Sequence, residues 1–414
     1  MTVALLKYYE RNQQKSQTKF MKTGYSIRTW RMSLVCPEPI WLARTEEYFQ
    51  NVVEFYYHLL RQHEELWNSS LFDIQRSLEL LTLTGRDGRQ PTNPLPMGKV
   101  PVYLRRAAIN KASATVKSTQ ELQSGFPEKL EAKVTFFKGM YSDLTDRSIC
   151  LKLWNGEKWI WTDCNLKGRP FPQDGQLMSP TLVKEGRRYL LNIPVKQENS
   201  DARTAKERMA EGTNLCSVRF TNTDTFAVCC ILDEQGKQLA VHTCRGGDAY
   251  RHRCKLLETR IQKSRPNTVG DNSPQPNRKY YMHLKNLSEH YAHQVSREIL
   301  NFCKENQAGI IVLPDYDQNF TRMAMVKSGN FSPLHLSSKI RTNLQYKAWA
   351  EGILVLETRT DGLKDKCAIC GGKVRRKGNE FLCENGHQGN RFLNDARNLG
   401  RKCQDSFFRV SRTK

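Results

Sequence analysis

The sequence predicts a multidomain α+β protein, with a helical insertion and a small β-barrel in its N-terminal half and an α/β layer bearing a cysteine-rich metal ribbon in its C-terminal half. Three observations carry that reading. Apolar residues keep a helical spacing after Thr45 and again after Tyr103, the period becomes two from Lys129, and beyond Thr213 an antiparallel meander gives way to buried strand, helix and strand. A chain of 414 residues with 38% hydrophobic content is long enough for two or three cores.

The balance of 65 Lys+Arg against 42 Asp+Glu leaves a net charge of +23. Because basic residues recur from Lys7 to Lys414, the expected partner is an extended polyanion, and nucleic acid fits best. The 13 cysteines include a scattered set (Cys36, Cys150, Cys164, Cys216, Cys229, Cys230, Cys244, Cys254, Cys303) with no secretory h-region ahead of it. A reduced bacterial cytoplasm, close to the nucleoid, is therefore expected rather than a disulfide framework. No apolar run approaches the ~20 residues of a membrane span, so no membrane partner is expected.

Residues 1–23 read as a basic arm before a strand at 25–35 that Pro37 and Pro39 end. With Thr45 as its cap, a helix then places Phe49, Val52, Val53, Tyr56 and Leu60 on one face, more as core than as a base-stacking surface. A Gly/Pro-rich connection leads to a second helix over 103–116, whose Arg105, Arg106 and Lys111 either meet phosphate or form a solvated face. The segments 130–137, 148–154, 158–162 and 188–195 read as strands, with Asn155-Gly156 as a hairpin turn. Trp154, Trp159 and Trp161 either fill that small barrel or stack on bases. Residues 197–212 read as a polar linker.

Beyond the linker, strands at 214–220, 225–232 and 238–243 make the meander, and the basic segment 250–263 carries Arg251, Arg253, Lys255, Arg260 and Lys263. After a loop rich in Pro, Asn and Gly at 264–277, a long helix aligns Leu284, Leu287, Tyr291, Val295, Ile299 and Phe302. Ile310-Ile-Val-Leu313 is a buried strand, 337–351 a helix carrying Lys339, Arg341 and Lys347, and 353–356 another strand. Three antiparallel strands feeding parallel ones is the RNase H arrangement.

Cys367-Ala-Ile-Cys370 sets two thiolates on one tight turn, and after a span of 12 residues Cys383 and His387 complete a tetrahedral N/S set that suits structural zinc. The intervening span has turn glycines and the cations Arg375, Arg376 and Lys377. In zinc ribbons the fourth ligand would more often sit where this chain has Gly386, so His387 is the less secure member of the set.

The segment from Leu336 to Gly371, with Leu344-Gln-Tyr346-Lys347-Ala348, Gly352-Ile353-Leu-Val355 and Cys367-x-x-Cys370-Gly371, resembles the C-terminal half of TnpB transposon-encoded proteins and miniature type V CRISPR effectors. Asn394-x-Ala396-Arg397-Asn398-Leu399 is similar to the same family's final motif. The likeness is specific over about 213–400, and over the N-terminal half it rests on layout alone. It implies a basic arm and first wedge strand (1–36), a helical recognition domain (37–126), a wedge β-barrel (127–196), a linker (197–212), a RuvC-like domain (213–360), a zinc-ribbon insert that binds target nucleic acid (361–390) and a last RuvC segment with a basic tail (391–414).

The resemblance also implies an RNA-guided nuclease whose three acids hold two divalent ions about 4 Å apart. At the three acid positions this chain has Arg219, Pro314 and Phe392. Asp224 and Asp315 are poorly placed substitutes, and Asp395, three residues past Phe392, is the one plausible stand-in. One carboxylate beside an arginine cannot clamp two Mg²⁺, so no catalytic Mg²⁺ is expected. The expectation is an RNA-guided DNA-binding protein without nuclease activity, repressing transcription or recruiting a partner such as the transcription machinery. Guide RNA and target double-stranded DNA, held as an RNA–DNA heteroduplex in a basic channel that includes Arg397, are its expected partners. A homodimer is compatible with the exposed apolar residues of the first helix. Two other readings stand beside it: an active RNA-guided endonuclease with displaced acids, and a guide-free zinc-ribbon transcription factor.

Overall fold

The computed structural model describes residues 24–264, 277–316 and 332–411, apart from Arg86, Gln123 and Gln173. The expected arm at 1–23, the loop residues 265–276 and the tail residues 412–414 lie outside the described residues. The described chain divides into two compact units, 27–197 and, together with 24–26, 198 onward.

In the first unit, strand β1 (Tyr25–Val35) gives way at once to helix α1 (Pro39–Gln62). Pro39 starts this helix, where its missing N–H costs nothing. The start therefore lies six residues ahead of Thr45, the expected cap. Thr45 is instead buried in the second turn, its hydroxyl donating to Trp41 O (2.7 Å) and accepting from Trp154 N (2.9 Å). Phe49, Val52, Val53, Tyr56 and Leu60 are at most 1% exposed, which makes the stripe core. Each contributes roughly 1.5–3 kcal/mol of burial.

Helix α2 (Leu71–Thr82) is absent from the sequence-based layout; Ser70 caps it by accepting from Asp73 N at 3.2 Å. Helix α3 (Val102–Glu121) runs about one turn past its expected end. Residues 130–137 are not a strand. Val134 and Phe136 are buried, yet among the described residues the segment's ladder contact is a single isolated bridge between Thr135 and Thr181. The alternation there reports burial under a neighbouring edge, not pairing along it.

The seven-stranded sheet runs β2 (Tyr141–Ser142), β3 (Ser148–Trp154), β4 (Trp159–Lys167), β1, β7 (Arg188–Glu198) and β5 (Gln176–Leu177), with β6 (Thr181–Glu185) also pairing β7. The expected hairpin joins β3 to β4, with Trp154 opposite Trp159. Its tip is one residue later than expected, because the Asn155 side chain accepts from both Glu157 N and Lys158 N at 2.8 Å and so forms the turn itself. Trp154 and Trp159 pack on Tyr48, whereas Trp161 stays 46% exposed.

The second unit corrects the expected linker. Thr204 and Glu207 form a reciprocal capping box on helix α4 (Ala205–Ala210), and Arg208 behind it is completely buried. Its guanidinium donates to the carbonyls of Gly309 (2.7 Å), Gly352 (2.6 Å) and Asp201 (2.7 Å). A stretch that is polar by composition is thus a plug that ties three loops together.

The five-stranded sheet has the order β10 (Gln238–Arg245), β9 (Thr225–Leu232), β8 (Leu215–Phe220), β11 (Ile310–Asp315), β12 (Leu354–Arg359). The first three are antiparallel, while β11 runs parallel to both β8 and β12, as the sequence led one to expect. One face, with Cys216, Val218 and Leu313, packs under helices α5 (Gly247–Lys263), α6 (Arg278–Glu305) and α7 (Leu336–Trp349). The opposite face, with Leu215, Ile310 and Val312, packs under helix α8 (Arg391–Ser411) through Ala396, Leu399 and Cys403. Gly400 permits that close approach: a Cβ there would lie 2.5 Å from Leu232 Cδ1. A small sheet of β13 (Val374–Lys377), β14 (Glu380–Cys383) and β15 (Gln388–Asn390) precedes α8.

Candidate functional site

Strand alternation puts Arg219 of β8 on the α8 face. The β8–β11 register pairs Ser217 with Val312, and two further residues bring Pro314 beside Arg219. In the second turn of α8, Asp395 is 2% exposed and meets Arg219, with Nε 3.3 Å from Oδ2. Its other oxygen accepts from Arg376 Nη2 of β13 at 2.5 Å. Arg219 Nη1 also donates to Tyr316 Oη at 2.5 Å. The void that Arg219, Pro314, Asp395 and Leu399 line measures about 10 Å³, room for at most one water.

On the other face, Arg341 of α7 lies 3.2 Å from Glu357 Oε1 and donates to Pro314 O at 2.9 Å. Burial raises the carboxyl of Glu357, and Arg341 offsets part of that rise. Burial likewise raises the phenol of Tyr316, against the pull of Arg219 and Arg341. Neither Glu357 nor Tyr316 was singled out in the sequence, although both stand at the C-terminal ends of the parallel strands, where α/β sheets build sites.

The structure brings Arg219, Pro314 and Asp395 together and sets Phe392 apart. Phe392 is one turn earlier on α8, buried, with the Arg391 guanidinium 4.6 Å over its ring. Asp315 is exposed, and Asp224 accepts from Asp248 N at 3.2 Å at the start of α5.

Several expected phosphate contacts are instead engaged within the protein. Arg105 is buried against Glu79, at 3.0 Å, and Arg106 shares that carboxylate at 3.1 Å. Lys339 meets Glu289 at 2.6 Å, Lys347 donates to His293 O and Ser296 Oγ at 3.1 and 2.7 Å, and Arg397 donates to Gln238 Oε1 at 2.6 Å. With Arg341 and Arg376 paired as above, these cations brace the fold, because cations at helix–helix and helix–sheet seams find protein acceptors first. Lys111, Arg253, Lys255, Arg260, Lys263, Arg375 and Lys377 are exposed, and half-buried Arg251 pairs with Asp248.

In the small sheet, the ligand atoms of Cys367, Cys370, Cys383 and His387 all lie within 4.8 Å of one another. Ile369 N donates to Cys367 Sγ and Asn385 N to Cys383 Sγ, each at 3.4 Å, the amide–sulfur bonds of a tight metal-binding turn. The Asn385 side chain, with Gly372 N–H, holds the Cys370 thiol down to about 6. His387 Nδ1 is buried without a hydrogen-bond partner, an orphaned polar atom that a metal ion would satisfy. Three sulfurs and one imidazole suit zinc.

The Aq_aa04 family model matches residues 26–155. No curated protein matches the chain. Among solved structures, the chain is similar to a Cas12f1 chain in complex with sgRNA and target DNA, at 12% identity and a TM-score of 0.54, over 87% of this chain and 81% of that one. It is also similar to the mini-RNA-guided endonuclease CRISPR-Cas_phi3, at 9% identity and a TM-score of 0.51, over 95% of this chain and 97% of that one. These likenesses extend through both compact units, and the protein has the fold of the type V CRISPR effectors.

Proposed function

We propose that this chain is an RNA-guided DNA-binding protein that does not cut DNA, and that it acts by occupying guide-matched sites, as a transcriptional repressor or recruiter. The fold similarity to effectors solved with sgRNA and target DNA supports the guide and the target. The net charge of +23 supports a backbone-gripping channel. The Arg219–Asp395 pair carries the non-cleaving part of the reading. Two-metal hydrolysis needs several free carboxylate oxygens facing one another, and here both oxygens of Asp395 already face guanidiniums. In this reading the five-stranded sheet with α8 is a RuvC-like domain kept as a scaffold, the seven-stranded sheet is its wedge, and Cys367, Cys370, Cys383 and His387 hold a structural zinc ion.

The reading is tested by purifying the chain with its co-expressed RNA, sequencing that RNA and measuring gel shifts on matched and mismatched duplexes. A shift that requires both the bound RNA and the matching sequence is expected. A shift on one fixed duplex after complete RNA removal would replace this reading with that of a guide-free DNA-binding factor.

A further inference from the structure

A second group of metal-ligating side chains lies far from the ribbon in sequence, at the β10 edge of the five-stranded sheet. His242 and Cys244 are two residues apart on β10, so strand alternation sends both to one face. Helix α6 crosses that face and sets Glu298 against them. Ligand atoms of the three residues all lie within 4.8 Å of one another, and His242 Nε2 is 2.6 Å from Glu298 Oε1.

We propose that His242, Cys244 and Glu298 form a second zinc site, which pins the edge strand of the sheet to α6. Imidazole, thiolate and carboxylate are the three side-chain donors zinc accepts, and a mixed N/S/O set favours zinc over the all-oxygen cations Mg²⁺ and Ca²⁺. Bond lengths of about 2.0–2.3 Å around a tetrahedron put ligand atoms roughly 3.2–3.8 Å apart, so the observed cluster needs only a small adjustment.

Its setting is that of a built site. Cys244 is fully buried, whereas the side chains of His242 and Glu298 are 35% and 32% exposed, which leaves an entry path and a fourth position for water. Phe302, one turn beyond Glu298, fixes the imidazole, with ring centroids 5.2 Å apart. A His–Glu ion pair accounts for two of the three groups, and the Cys244 thiol, which also meets Cys229, converges on them from the sheet. Binding expels the thiol proton to solvent, as it does at any cysteine-bound zinc. Among the described residues strand β10 has a neighbouring strand on one side, so a metal tie to α6 secures an edge that hydrogen bonds leave half-open.

The test uses the full-length protein, saturated with Zn²⁺, freed of excess metal and assayed for bound zinc. Wild type is expected to hold one zinc more per chain than His242→Gln or Glu298→Gln, both changes at partly exposed positions that the fold tolerates. With Co²⁺ in place of zinc, Cys244→Ser should lose one component of the sulfur-to-cobalt absorption, and the component that a Cys370→Ser/Cys383→Ser variant loses should be a different one. Equal zinc content in wild type and Glu298→Gln would overturn the proposal, as would Co²⁺ spectra that Cys244→Ser leaves unchanged. Both outcomes are independent of guide RNA, so failure here leaves the DNA-binding reading standing.

Discussion

Arg219 and Asp395 face each other between β8 and α8, the guanidinium Nε 3.3 Å from the carboxylate Oδ2, with Arg376 on the remaining oxygen at 2.5 Å. This pairing occupies the one acid that stood as a replacement for the three that the family resemblance implies at the positions of Arg219, Pro314 and Phe392. A divalent ion entering here would have to displace two guanidiniums from a nearly dry void. The cluster therefore acts as a structural staple joining strand, helix and small sheet.

Removal of one member should be costly. Asp395→Ala leaves two guanidiniums without their acceptor in a site with little water, and a loss of about 3 kcal/mol in a urea unfolding curve is expected. The Arg219→Met/Asp395→Leu double variant should recover part of that loss, because it removes Arg219 together with its partner and leaves only Arg376 without its carboxylate.

Arg208 should be equally sensitive. The four carbonyls it donates to, those of Asp201, Arg203, Gly309 and Gly352, lose a shared charged donor once the guanidinium is gone. Arg208→Met is expected to cost about 3 kcal/mol or more, and Arg208→Lys somewhat less, since an ammonium cannot reproduce the planar fork. Thermal and urea unfolding of both variants measure this directly.

Lys347 predicts a dependence on pH. Burial, helped by the nearby Arg297, holds its ammonium at about 8, below its ordinary value of 10.5. Between those two values the unfolded chain binds more protons than the folded one, so this group's contribution makes stability rise with pH across the window. Comparison of wild type with Lys347→Met at pH points spanning the window should show that this part of the slope is absent in the variant.

The exposed cations of α5 should report DNA binding. Arg253→Ala combined with Lys255→Ala is expected to lower the slope of log affinity against log salt by about 0.9 for each phosphate that is no longer neutralised. Arg106→Ala should leave that slope unchanged, because Arg106 is already held by Glu79 at 3.1 Å.

Much of the fold was legible because its periods were clean. The meander, the buried Ile310–Leu313 run and the aligned Leu284 to Phe302 face are all in place. The losses have physical causes. Helix α4 is short and polar, with the Thr204/Glu207 box as its local signal, whereas helix α2 follows its Ser70 cap with apolar residues at Leu71, Ile74, Leu78 and Leu81, a helical spacing that was legible and was passed over. Residues 130–137 alternate because they are buried, although they pair only through one isolated bridge. At the site, sequence order placed Phe392 opposite Arg219, but the pitch of α8 turns Asp395 to that position instead. Arg376 and Glu357 were invisible as neighbours because each reaches the cluster from a distant segment, Tyr316 lies only two residues past Pro314 but was not singled out, and cations read as phosphate ligands were claimed by carboxylates such as Glu79 and Glu289.

The most direct measurement of the central claim is cleavage of guide-matched duplex DNA by the RNA-loaded protein in excess Mg²⁺ or Mn²⁺, run beside a gel shift on the same duplex. The account predicts a full shift and intact strands. Metal-dependent cleavage that disappears in Asp395→Ala, with the shift retained, would contradict it.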